Sequence, residues 1–138
     1  MKRRSVQDNI MITVLVGCFM LLLSSLTFAD PINQVSRLSY INGTVSFLPA
    51  GESQWVGVTL NRPLVTNDQI WADAGSLAEM QLSGAAVRMG SQTALKILNL
   101  NDEIAQFQLT QGTLVLSIKS INGQQAYEVD TPNLAFVI

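Results

Sequence analysis

From residue 37 onward, hydrophobic and polar side chains alternate in short runs, and most runs end at a glycine, asparagine or serine turn. Ala78, Met80 and Leu82 share one side of an extended segment, with Glu79 and Gln81 on the other. Ala105, Phe107 and Leu109 alternate with Gln106 and Gln108, and Leu114, Leu116 and Ile118 with Ser117 and Lys119. A period of two with one apolar face predicts strands wet on one side. The runs 37–41, 44–48, 55–58, 69–73, 77–82, 85–89, 93–98, 104–109, 113–118 and 126–130 are each read as a strand. Asn42-Gly43 between the first two predicts a hairpin, because both residues tolerate positive φ. Pro63 donates no ladder hydrogen bond, which keeps 61–64 out of a sheet centre. No stretch sustains the helical spacing i, i+3, i+4, i+7 behind a cap. The expectation is an all-β domain over residues 37–138. Its short antiparallel and coiled strands would form a compact, twisted, solenoid-like or sandwich structure.

The N-terminus is different in kind. Lys2, Arg3 and Arg4 precede the uncharged stretch Ile10–Ala29. A basic start, an apolar middle and small residues at Thr27 and Ala29 predict a signal helix over 1–29, cleaved between Ala29 and Asp30. Residues 30–36 then form a short linker. Three other readings compete. The apolar run is long enough to remain as an inner-membrane anchor. Leu15–Cys18 fits a lipoprotein pattern, although Phe19–Leu23 would be a poor start for a mature lipoprotein, and Arg3-Arg4 matches twin-arginine export weakly. All of them place the rest of the chain outside the cytoplasm, periplasmic or secreted, touching membrane only through an uncleaved N-terminal segment.

Composition narrows the chemistry. The formal net charge is −2, and residues 30–138 carry −4. Arg37, Arg62, Arg88, Lys96 and Lys119 are spread singly, without the clustered basic face that nucleic acid requires. The single cysteine is Cys18 and there is no histidine, so the segment after Asp30 has no disulfide, lacks the usual zinc and copper ligands, and cannot build a Ser-His or Cys-His pair. We expect no catalytic residue, no metal and no cofactor. Val129–Pro132 reads Val-Asp-Thr-Pro, one residue away from an aspartic-protease motif, but no second copy supplies the paired carboxylate. Asn99–Glu103 clusters acids and amides without the glycine of a calcium loop and reads as a solvated turn. Asn42-Gly43-Thr44 matches a glycosylation acceptor that the hairpin already explains.

Three residues stand out for binding. Trp55 and Trp71 are the largest side chains. Exposed on one sheet face they would stack on sugar rings or anchor a partner; their neighbours Val56, Val58 and Ile70 favour a place in the core instead. Arg62, between Asn61 and Pro63, is expected to pair with Asp68 or Asp73.

Read in order, the motifs form a pattern. It opens with Gly43-Thr44-Val45, then Asn67-Asp68 ahead of Ile70 and Asp73, then Ser76, Ala78, Met80 and Leu82. Gly84–Met89 follows, then Leu109, Gln111, Gly112, Leu114 and Leu116, and finally Tyr127, Val129, Thr131 and Pro132. From about Arg37 to Ile138 this order resembles the FecR domain, named for the iron-dicitrate regulator of bacterial envelopes. Residues 46–64 resemble most the exported branch in which the domain directly follows a signal peptide. The resemblance implies a short, twisted β-solenoid or sandwich. It also implies a non-catalytic module for binding or signal relay in the cell envelope, whose protein partner adds a strand to an open sheet edge. The alternative is a structural module that holds glycan or peptidoglycan on exposed aromatic side chains. The nine residues before the apolar run are too few for the regulator's sigma-factor-binding segment, so that role is not expected here. The family pattern continues past Thr-Pro with another strand pair, so the resemblance implies a truncated copy; the alternative makes Leu134–Ile138 a last strand paired on one side.

Overall fold

A computed structural model describes residues 36–119 and 125–138; the expected signal segment 1–29, the Ala29-Asp30 cleavage point and most of the linker lie outside the described residues. The described residues form twelve strands: β1 (Ser36–Asn42), β2 (Val45–Leu48), β3 (Val56–Gly57), β4 (Pro63–Leu64), β5 (Gln69–Ala72), β6 (Leu77–Gln81), β7 (Ala85–Met89), β8 (Thr93–Leu100), β9 (Ile104–Gln111), β10 (Leu114–Ile118), β11 (Ala126–Asp130) and β12 (Ala135–Val137). They form a five-stranded sheet, β10-β7-β6-β1-β4, and a seven-stranded sheet, β12-β11-β9-β8-β5-β2-β3. The fold is all-β, as the period of two predicts. Pro63 sits in a two-residue strand at a sheet edge, where its missing N–H costs nothing.

The chain changes sheet repeatedly: between β1 and β2, β3 and β4, β4 and β5, β5 and β6, β7 and β8, and β9 and β10. Each of these six crossings carries one residue with positive φ, Gly43, Asn61, Asn67, Gly75, Gln92 and Gly112 respectively; a further crossing, from β10 to β11, passes through residues outside those described. A single left-handed residue bends an extended chain sharply, which here sends it to the opposite sheet.

This overturns the hairpin expected at Asn42-Gly43. A two-residue type I′ turn needs positive φ at both central positions. Asn42 remains extended and pairs with Leu77, and only Gly43 turns, with φ 83°. Val45 then pairs with Ala72 in the other sheet. Ser76 holds this corner: its Oγ accepts the Thr44 amide at 2.9 Å. A second correction concerns direction. β11 lies parallel to β9, because β10 crosses to the other sheet between them. β1 also begins at Ser36, inside the expected linker, and Ser36 is buried.

Both sheets contribute to one core. Leu38, Met80, Val87 and Met89 come from the five-stranded sheet, and Phe47, Ile70, Ile97 and Phe107 from the seven-stranded one. Each such side chain contributes about 1.5–3 kcal/mol by leaving water. Buried polar groups are satisfied. The Asp68 carboxylate accepts the amides of Ala50 at 2.8 Å and Val65 at 2.9 Å, and no buried side-chain polar atom among the described residues lacks a partner.

Tyr127, buried on β11, donates its hydroxyl to Gln125 Oε1 at 3.1 Å, and burial pushes its phenol above the ordinary value. A raised folded-state pKa means the folded state holds this proton more tightly than the unfolded chain does. The associated stability is complete below about pH 10 and is lost as pH rises from there through the folded value. Urea midpoints measured from pH 8 upward should fall more steeply in the native protein than in Tyr127→Phe, which has no proton to lose. Equal slopes would place the phenol in water.

Candidate functional site

The outer face of the seven-stranded sheet carries a cleft of about 450 Å³. Strand parity builds it. On β5, Ile70 and Ala72 point into the core, so Trp71 and Gln69 point out; on β8, Leu95 and Ile97 are buried, so Ala94 and Lys96 point out. Ser46 of β2, Gln108 and Thr110 of β9, and Trp55 just before β3 complete the lining. Register explains the hollow. Trp71 lies between Ser46 and Ala94, both small, so its indole stands clear of its cross-strand neighbours. The next row along the sheet runs Gln69, Lys96, Gln108.

The tryptophans therefore do not fill the core, the place their apolar neighbours favoured. Trp55 is 48% exposed and Trp71 is half-buried. The inner positions are already taken by Ile70 and Ala72, and Val56 beside Trp55 is itself exposed. The Trp71 indole N–H donates to Asp73 Oδ1 at 3.4 Å, which sets the ring's orientation. By contrast, the side chains of Ser46, Gln69, Lys96, Gln108 and Thr110 have no hydrogen-bond partner among the described residues. The cleft thus combines indole faces with unengaged amides and hydroxyls, the pairing that suits a ligand with apolar faces and polar edges.

Arg62 is elsewhere. Its guanidinium carbon lies 4.0 Å from the centroid of the buried Phe47 ring, a cation–π contact that caps the core. The expected pairing with Asp68 or Asp73 does not form. Asp68 is occupied by two backbone amides, and Asp73 by the Trp71 indole and the Ala74 amide.

The remaining motifs resolve into local structure. Asn101 Oδ1 accepts the amides of Glu103 and Ile104, closing the β8–β9 turn. Thr131 Oγ1 donates to the Leu134 carbonyl in the β11–β12 turn, while Gln106 Nε2 donates to both Glu128 and Asp130 at 3.2 Å. On the other sheet, Arg88 Nε meets Glu79 Oε2 at 2.6 Å beside a smaller hollow of about 320 Å³ lined by Tyr40 and Leu77. The Arg88 hydrogen bond holds the Glu79 carboxyl below its ordinary value. With Arg88 61% exposed, the pair is worth about 0–1 kcal/mol.

Sequence reasoning named both tryptophans but missed Ser46, Gln69, Lys96, Gln108 and Thr110. Their parity within each run was available; the order of strands that aligns them was not. No family model, no curated protein and no solved structure matches the chain.

Proposed function

We propose that this chain is an exported, non-catalytic binding module of the bacterial cell envelope, and that its tryptophan-walled cleft takes a glycan. The observation that carries the reading is the presence of two accessible indoles on one sheet face beside unengaged amides and hydroxyls. Sugar rings offer C–H faces to stack on indoles and hydroxyls to exchange hydrogen bonds with amides. Export and an envelope setting are supported by the N-terminal pattern and by the resemblance to the FecR domain. The solenoid-like or sandwich form implied by that resemblance is supported by two sheets sharing a core, with the chain crossing between them at six single left-handed residues. The absence of histidine, and with it of any Ser-His or Cys-His pair, supports a module that recognises rather than reacts.

The test is retention on immobilised envelope saccharides, including peptidoglycan. Native protein should be retained, and Trp71→Ala should weaken binding about tenfold. The substitution lies on the solvent side, so the circular dichroism spectrum should be unchanged. A second reading has its own support. β12 is an edge strand, and Leu134, Phe136, Val137 and Ile138 next to it or within it are exposed, a surface suited to an added partner strand. Capture of an envelope protein by native and Trp71→Ala chains alike, with no saccharide retained, would favour that reading over the first.

A further inference from the structure

We infer that Lys96 makes the cleft selective for a sugar that carries a carboxylate, an inference that rests on the glycan reading above. Lys96 stands at the middle of the outer row, with Gln69 on one side and Gln108 on the other. It is partly buried, and no carboxylate among the described residues lies within ion-pair distance of it. Its ammonium and the two flanking amides make no hydrogen bond or ion pair among the described residues, so their N–H donors are open to a ligand.

That row lies two residues along β5 from Trp71, about 7 Å away. A ring stacked on the indole therefore projects an edge substituent over the row of donors. A carboxylate there forms an ion pair with Lys96 and also accepts charge-assisted hydrogen bonds from the glutamines, whereas a hydroxymethyl group forms no ion pair with Lys96 and only neutral hydrogen bonds with the glutamines. Asp73, Glu128 and Asp130 lie at outward positions on this side of the sheet. Asp73 is four residues from Gln69 along β5, about 13 Å, and already accepts the Trp71 indole. Asp130, opposite Gln108 on β11, is two strands from Lys96, about 10 Å, and with Glu128 it accepts Gln106. These separations match or exceed the screening length at 0.1 M salt, so Lys96 dominates the potential at its own row.

The experiment follows intrinsic tryptophan fluorescence while the full chain is titrated with oligoglucuronate and oligogalacturonate, and with their methyl esters, which remove the charge and keep the ring and its hydroxyls. At least one acid should bind about tenfold tighter than its ester at 0.1 M salt, the preference shrinking as salt rises further. Lys96→Gln should abolish the ratio, and Trp71→Ala should weaken both forms. If acid and ester bind the native protein alike, the inference about Lys96 is overturned and the glycan reading stands. Acid preference that survives in Lys96→Gln overturns it too. No binding of either form to a chain whose circular dichroism shows an intact sheet fold overturns the Lys96 inference, and the saccharide-retention test decides the glycan reading separately.

Discussion

Phe107→Ala is expected to remove about 3–5 kcal/mol of stability. Phe107 is fully buried near the middle of the seven-stranded sheet, opposite Ile97 on β8 and Val129 on β11. Removing its ring loses the transfer free energy of the largest class of core side chain, and the surrounding sheet can close the void only in part. A domain of this size has about 5–15 kcal/mol in total, so the variant should sit near the threshold of folding. Urea denaturation should show the midpoint falling steeply at nearly unchanged slope. Phe107→Leu keeps most of the volume and should lose less than about 1.5 kcal/mol. Equal effects of the two substitutions would mean that the ring itself does not fill the site. The position also bears on the cleft, because Gln106 and Gln108 flank Phe107 on β9 and take their outward direction from its inward one.

How much of this arrangement is legible in the sequence depends on the kind of information each part needs. The inner set of β6 and β9 follows from parity alone, and Ala78, Met80, Ala105 and Phe107 are buried as the alternation predicts. Around β5 the same rule is silent, since Ile70, Trp71 and Ala72 are all apolar and nothing in the run says which side is dry. The answer comes from pairing. Val45 meets Ala72 and Leu95 meets Ile70, so the buried side is decided by strands more than twenty residues away in either direction. Sheet membership was hidden for a related reason. Asn-Gly is compatible with a hairpin and with a corner, and the choice depends on whether β1 finds β2 or β6. Leu38 opposite Met80 settles it, and that contact spans over forty residues. Arg62 was misread because a charge in a loop was matched to the nearest acids, whereas those acids were already satisfied by backbone amides and an indole.

The corners themselves give the other large effect. Gly112→Ala should cost about 3–5 kcal/mol, and Gly51→Ala about 1–2 kcal/mol, although the two glycines have similar backbone angles, φ 94° and 79°. Gly51 lies in the exposed β2–β3 connection, where an added Cβ meets nothing within 4 Å. Its substitution incurs only the left-handed strain. At Gly112, where the chain leaves β9 for β10, an added Cβ would stand 2.3 Å from Thr93 Oγ1, 2.5 Å from Thr93 Cα and 2.6 Å from the Gln92 carbonyl oxygen. Thr93 is fully buried, and its hydroxyl accepts the Thr113 amide at 3.0 Å, so it cannot retreat without breaking the corner's hydrogen bonds. Two of the three obstructing atoms are backbone, which makes the cost one of chain displacement rather than of a side chain turning aside. Thermal or urea unfolding of the two variants should therefore separate them clearly. The double variant Gly112→Ala/Thr93→Ala should recover little, because Thr93 Cα and the Gln92 carbonyl remain in place. Substantial recovery would show that the hydroxyl alone excludes a side chain there, and that the crossing from sheet to sheet tolerates any residue able to reach positive φ.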